Sequence, residues 1–474
     1  MTEFGSIIGG EQSTTGRWIE IHNPYTGALV GRVAEAGRDL VLDTASRMRG
    51  VRIHLPRHQR AAILNRMASR MEGERDRVSR MITDEAGLSL KDTAYEVNRA
   101  ADVLRFAAIQ CLLDDSEVFP CDVSTGGRAR RIYTMRQPLQ LIAAITPFNH
   151  PLNQVVHKIA PSIATNNKML LKPSPATPLS AHYIAEVALE SGLPPHALNV
   201  ICGSTSEVGE TLVTCDAVDM ITFTGSSAAG YSIAKAAGYK RLVLELGGSS
   251  ALLILEDAPL EQAVEITIAG TYKNSGQRCT AIRRILIHES IADAFAERLA
   301  QRTAEIRCGD PYDHQTEVGT VISEAAARQI EERVEATLAA GAKLLVGHRR
   351  QGAIYPPTVL DHVQNHHPVV ACETFGPIAN IIRVSSLDEA IRIGNDSPFG
   401  LSGGVVSNHW PSIQRVITEL ETGTVNVNEA PSFRLEWSPF GGIKSSGLGY
   451  KEGVIEAMRS MTYVKTYSLP WDQP

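Results

Sequence analysis

Few short signatures of function stand out in this chain. Its seven cysteines, Cys111, Cys121, Cys202, Cys215, Cys279, Cys308 and Cys372, are scattered, odd in number and without a CxxC pair. That argues against a disulfide framework and a zinc site, so no metal is expected and a reducing cytoplasm is the expected compartment. HExxH, the Walker A loop and GxGxxG are all missing. These absences remove zincins, P-loop enzymes and the generic Rossmann fingerprint. Basic excess is missing too: net charge is −6 and pI about 6.2. Neither nucleic acid nor a membrane is therefore expected as a partner. No apolar run reaches the roughly 18 residues of a spanning helix. The opening MTEFGSIIGG has no basic n-region and no long apolar stretch, so no signal peptide is expected.

What remains is an ordinary composition, 43% hydrophobic and 21% charged over 474 residues. That length is too great for one core and implies two or three domains. The stretch 58–81 has Ala62, Leu64, Met67, Met71 and Val78 near helical spacing and predicts one long amphipathic helix. Residues 91–113 predict another, with Val97, Ala101, Leu104, Ala108 and Cys111 on its stripe. The pattern then breaks, and RRIYTMRQP reads as a hairpin or arm. From 139 strands and helices alternate: LQLIAAIT, KMLLKPS, ALNVICG, AVDMITFTG and KRLVLELGG are the strands. Such alternation predicts a parallel doubly wound sheet with ligands beyond its carboxyl ends. A second α/β pattern follows over about 248–445, with strands at ALLILED, RRILIHE, ANIIRVS and TGTVNVN.

Several short stretches can carry chemistry, and each also has a plainer reading. The turn FTGSSAAG places Gly225, Ser226 and Gly230 where a helix N-terminus favours phosphate, with glycines leaving room for a ligand. It can equally be a plain turn. Lys172 in LLKPSPATP can be an edge lysine. Glu245 in LELGG ends a buried strand, where carboxylates are rare without a reason. Asn149 in TPFNHP can be a turn asparagine. ETFGP and PFGGIKSSG can be loops. In NSGQRCTAIRR, Arg278 stands directly before Cys279, with Arg283 and Arg284 behind. That charge can be a surface accident, can lower the thiol pKa, or can hold an anion beside a nucleophile.

In this order and spacing, Asn149, Lys172, FTGS, LELGG, GQRC, ETFGP and PFGG resemble the aldehyde dehydrogenase superfamily over essentially the whole chain. The resemblance implies an α/β fold: a Rossmann-like parallel-sheet cofactor domain, a second α/β catalytic domain and a β-arm for oligomerisation. The implied boundaries are 1–118 with 139–247 for the dinucleotide-binding domain and 248–445 for the catalytic domain. The arm and C-terminal segment take 119–138 and 446–474, and a homodimer or homotetramer is expected. The implied roles are Cys279 as nucleophile, Asn149 as oxyanion donor, Glu245 as hydrolytic base and Lys158 near that relay. NAD, with NADP possible, would meet Thr146, Pro147, Lys172, Ser174, Gly225, Ser226, Leu246, Glu373 and Phe375.

Two departures from the family pattern matter. Pro175 stands where many relatives have a glutamate that grips the adenosine ribose, which leaves the choice between NAD and NADP open. Val454 stands where some relatives have a second acidic candidate base. The implied substrate tunnel carries Arg99, His150, Arg278 and Arg434, with Thr280 beside them. Singly these have plain readings; Arg99, for one, falls off the apolar stripe of its helix. Together they form an expected anion-binding funnel. The set resembles the superfamily's enzymes of phosphorylated or phosphonylated aldehydes, so a small anionic aldehyde is the expected substrate. CoA-acylating members generally lack the base glutamate, so Glu245 argues against that branch. Cys279, Glu245 and Asn149 together argue against an inactive structural homologue.

Overall fold

The computed structural model describes residues 2–449 and 452–471. Tyr450, Lys451 and the last three residues of the expected C-terminal segment lie outside the described residues. The first sheet has seven strands in the order Arg241–Glu245, Met220–Thr224, Leu141–Ile145, Lys168–Lys172, Leu198–Val200, Ser6–Ile8 and Glu11–Ser13. Its first five strands are parallel and nearly all buried. That is why they read as continuous apolar runs. The last two form an antiparallel hairpin from the N-terminus, which alternation of polarity did not mark. A small separate sheet joins Thr2–Phe4, Leu29–Ala34 and Trp18–His22.

The second sheet also has seven strands, ordered Lys343–Val346, Thr358–Asp361, Ile378–Val384, Ile282–His288, Ser250–Ile254, Ser402–Val406 and Thr424–Val427. All its pairings are parallel except the edge pair at Lys343–Val346. The fold is thus the aldehyde dehydrogenase α/β architecture, with two parallel sheets. A third sheet is the arm, where Arg130–Pro138 pairs antiparallel with Thr462–Pro470 and Val118–Pro120. Its strand Thr462–Pro470 leaves Tyr463, Val464, Tyr467 and Leu469 exposed.

The two helices expected near the start differ in outcome. The stretch 58–81 is two helices, Arg57–Gly73 and Arg75–Ala86, broken at Glu74. The glutamate sits outside helical geometry and its carboxylate pairs with both Arg70 and Arg77. The apolar spacing continues across the break because both pieces face one core. The second helix runs unbroken from Leu90 to Leu112, capped by Ser89. Val97, Ala101, Leu104, Ala108 and Cys111 are all buried, as the stripe required. The segment after 446 does more than build the arm. Its helix Val454–Ser460 buries Val454 in the same core as the Leu90–Leu112 and Asn153–Ala164 helices. Among the described residues, no helix is long and apolar enough to cross a membrane.

The sheets meet around one tight turn. Asn274, Ser275 and Gly276 have φ of 60°, 52° and 69°, a left-handed run just before Cys279. A Cβ on Gly276 would lie 2.2 Å from the Gly376 carbonyl oxygen. Gly276→Ala should therefore cost at least about 1–3 kcal/mol from the left-handed backbone alone, with the clash on top. Chemical denaturation checks this; an unchanged midpoint would contradict it.

Candidate active site

The catalytic loop is held from three sides. Asp92 accepts the Asn274 N–H at 2.9 Å. The Asn274 side chain donates to the Asn149 carbonyl at 2.8 Å, and Asn149 Nδ2 donates to the Gln277 carbonyl at 2.8 Å. Arg283, fully buried, donates to the Gly276 and Gly376 carbonyls. Arg284 donates to the carbonyls of Ser249, Ile393 and Gly394. The two arginines that follow Cys279 in sequence therefore hold backbone together. An amide nitrogen carries two hydrogens, so Asn149 keeps one for an oxyanion.

Glu245 ends its strand buried, and the next two residues explain the glycine pair. A Cβ on Gly247 would lie 2.3 Å from a Glu373 carboxylate oxygen, and one on Gly248 would lie 2.3 Å from the Cys279 carbonyl oxygen. The turn after Glu245 thus packs directly on the Cys279 loop. A cleft of about 230 Å³ opens there, lined by Asn149, Gln154, Glu245 and Cys279 together with Pro147, Gly225, Ser226, Leu246, Glu373 and Phe375.

That cleft fits the nicotinamide end of a dinucleotide. Phe148 and Phe375 make an edge-on pair at 5.9 Å. The buried hydroxyls of Thr146 and Thr224 have no hydrogen-bond partner among the described residues. Glu373 Oε1 accepts the Gly248 N–H at 3.1 Å, and burial raises its pKa. Lys172 ends its strand buried, its ammonium makes no hydrogen bond among the described residues, and burial lowers its pKa. Ser226 caps the helix Ser227–Ala236 and is exposed beside the cleft. The glycines of this turn correct the reading that they make space for a ligand. A Cβ on Gly225 would meet the Phe223 ring at 2.4 Å, and one on Gly230 would meet Leu246 at 2.4 Å. Both are small because side chains of this chain pack on them. Ser174 and Pro175 lie in the turn after Lys172, Ser174 half-buried and accepting the Ala176 N–H at 3.3 Å, Pro175 exposed.

Lys158 is fully buried and pairs with Glu452. Glu452 is buried two residues before Val454, and Val454 itself is core. Glu452 also bridges to Phe440 through its backbone.

The expected funnel is partly different from its sequence outline. Arg99 donates to Glu436, and Arg434 lies 3.6 Å from the same carboxylate while stacking on Phe440 at 3.9 Å. His157 Nε2 meets that carboxylate at 2.6 Å. Burial opposes ionisation of Glu436, but Arg434, His157 and Arg99 together hold its pKa well below the usual range. Glu436 and His157 were missed in the sequence; the only signals were their closeness to Arg434 and Lys158. His150 is buried with Nδ1 at 3.4 Å from Glu96. Burial lowers its pKa, so at neutral pH it is uncharged and leaves the cationic set. Arg278 donates weakly to the Ser432 carbonyl at 3.4 Å and makes no ion pair among the described residues. Burial and Arg99 lower its pKa to about 10, which still leaves it charged at pH 7. Thr280 is buried just after the nucleophile.

The Cys279 thiol is not activated by its neighbour in this state. Burial pushes its pKa up to about 11; Arg434 pulls it down most, Glu373 and Glu245 push it up, and Arg278 pulls it down least. Attack therefore needs a proton acceptor, and Glu245 lines the same cleft. The distant Arg434 matters more to the thiol than adjacent Arg278. Alkylation of the cofactor-free protein by iodoacetamide should keep rising between pH 8 and 10, since thiolate grows about tenfold per unit below the pKa. Removing a cation raises a thiol pKa, so Arg434→Leu should slow alkylation more than Arg278→Leu. The opposite order would contradict the electrostatic assignment.

Comparison with known proteins agrees with this geometry. The model of the aldehyde dehydrogenase family matches residues 11–467. Aspartate-semialdehyde dehydrogenase 1 of Pseudomonas canavaninivorans is 37% identical over 95% of this chain and 96% of its own length. The 3-sulfolactaldehyde dehydrogenase of Priestia aryabhattai is 35% identical over 97% and 96%. The structure of glyceraldehyde-3-phosphate dehydrogenase GapN from Methanocaldococcus jannaschii, complexed with NADP, superposes with a TM-score of 0.92 at 34% identity, covering 96% of this chain and 100% of that one. The chain belongs to the aldehyde dehydrogenase family and is an NAD(P)-dependent aldehyde dehydrogenase.

Proposed function

We propose that this enzyme oxidises a small anionic aldehyde to its acid, with phosphonoacetaldehyde to phosphonoacetate as the first choice. Arg278 carries the reading. It is a half-buried guanidinium beside Cys279, it makes no ion pair among the described residues, and Arg99 and Arg434 stand near it. One carboxylate, Glu436, serves the other two arginines. A partly desolvated charge without an ion-pair partner is costly, and an anionic substrate would supply the partner. The relatives described above are named for aldehydes that carry a carboxylate, a sulfonate or a phosphate, which supports the class. Glyceraldehyde 3-phosphate, succinate semialdehyde, sulfoacetaldehyde and lactaldehyde follow as alternatives.

In this reading Cys279 attacks the aldehyde after its proton passes to Glu245. The Asn149 amide and the Cys279 backbone N–H hold the resulting oxyanion. A bound NAD or NADP supplies the hydride acceptor, and Lys172, Ser226 and Glu373 would hold its ribose and phosphate groups. Glu245 passes the thiol proton on to solvent, and the thioester left on Cys279 is then hydrolysed by water that the ionised Glu245 deprotonates. Lys158 and Glu452 form the buried pair behind that site. The exposed face of Thr462–Pro470 is the surface through which copies of the chain would associate as a dimer or tetramer.

If Arg278 binds the substrate anion, Arg278→Leu should harm anionic aldehydes selectively. A hydrogen bond to a charged group contributes about 1.5–3 kcal/mol, so the loss in kcat/KM should be roughly 10- to 150-fold. Neutral aldehydes of similar size should change far less. Equal losses for both, recovering together between pH 7 and 9, would mean that Arg278 acts only on the thiol.

A further inference from the structure

Gln154 has no place in the chemistry so far. It sits on the first turn of the Asn153–Ala164 helix, is 7% exposed, and lines the same cleft as Cys279, Glu245 and Asn149. Its Oε1 is buried and has no hydrogen-bond partner among the described residues. An unpaired buried amide oxygen is costly, so it calls for a donor. The candidates in the cleft are few. An aldehyde carbonyl and a thioester accept hydrogen bonds and donate none. Glu245, when ionised, only accepts. Water donates, as does the carboxamide of a bound nicotinamide, but water is the donor that has to reach the thioester, and it satisfies an amide whichever way its two ends are turned. Gln154 lies one helical turn before Lys158, on the same face, so it lies on the side of the helix that holds the Lys158–Glu452 pair. A cleft of about 230 Å³ has room for ordered water beside this amide.

We propose that the side-chain amide of Gln154 positions the hydrolytic water between Glu245 and the thioester. This rests on the roles given to Cys279 and Glu245 above, but not on the substrate's charge. One O–H of the water donates to Gln154 Oε1, and the other proton passes to Glu245. The water oxygen bonds to the carbonyl carbon, the carbon–sulfur bond breaks, and sulfur leaves as the Cys279 thiolate. The proton on Glu245 then returns to that sulfur, giving a carboxylic acid and a free thiol. Gln154 exchanges no proton and is a positioning residue.

The test is pre-steady-state NADH formation by Gln154→Met, which keeps the length and removes the amide. Phosphonoacetaldehyde and propanal are both used, so that the result does not depend on the anion. The first turnover should persist as a burst of about one NADH per site. Steady turnover should fall on the order of 10- to 100-fold, the scale of a misplaced reactant. Hydroxylamine, added only after a burst with enzyme in excess has consumed the free aldehyde (which it would otherwise trap as the oxime), should release the acyl group from Cys279 as the hydroxamate. An unchanged steady rate, a burst lost along with it, or no response to hydroxylamine would each overturn the proposal. If Gln154→Met does not fold, Gln154→Leu is read the same way. Cys279→Ala is the separate control: NADH formed by that variant would overturn the thioester reading itself.

Discussion

Three side chains on one face of the Leu90–Leu112 helix grip three separate loops of the site. Asp92 holds the Asn274 N–H, and with it the left-handed turn before Cys279. Glu96 accepts the N–H groups of Leu152 and Asn153, both at 2.9 Å, and so caps the helix that follows Asn149. Arg99 reaches Glu436 and the loop of Arg434. Residues four and three apart share a helix face, so one rigid rod fixes the Cys279 loop, the helix after Asn149 and the Arg434 loop relative to one another. The opposite side of that helix is the apolar stripe buried in the main core. The energy that holds the rod is hydrophobic, and its function is polar.

The electrostatics follow from this enclosure. Burial raises the Cys279 thiol to about 11 and lowers Arg278 to about 10, so both groups are disfavoured in their charged forms. In the proposed reading, an anionic substrate entering beside Arg278 would relieve one of these costs, and proton transfer to Glu245 would relieve the other. A fixed cation next to a thiol in sequence therefore need not be the cation that governs it. In this fold that is Arg434, which arrives from more than a hundred residues away and is braced by Glu436 and Phe440.

How much of this could be read beforehand depends on whether an interaction is local. The buried parallel strands and the Leu90–Leu112 stripe were legible, because continuous apolar runs and helical spacing are local signals. The break at Glu74 was not, since both flanking helices face one core and keep the spacing. The glycines of FTGSSAAG were misread because the space they leave is taken by Phe223 and Leu246, the latter on another strand end. Glu452 left no signal because its partner, Lys158, is nearly three hundred residues away in sequence. Helical spacing alone put Arg99 off the apolar stripe; only the resemblance placed it in the expected funnel. Its partner Glu436 is 337 residues away and left no pattern to find.

The central claim is that the wall around Cys279 is built for an anion. The most direct measurement is kcat/KM of the unaltered enzyme for phosphonoacetaldehyde, glyceraldehyde 3-phosphate, succinate semialdehyde and a neutral aldehyde of similar size. The account predicts that the anionic aldehydes exceed the neutral one by at least about tenfold, the lower end for one hydrogen bond to a charged group, with phosphonoacetaldehyde first. A neutral aldehyde turned over as efficiently as the best anion would contradict it.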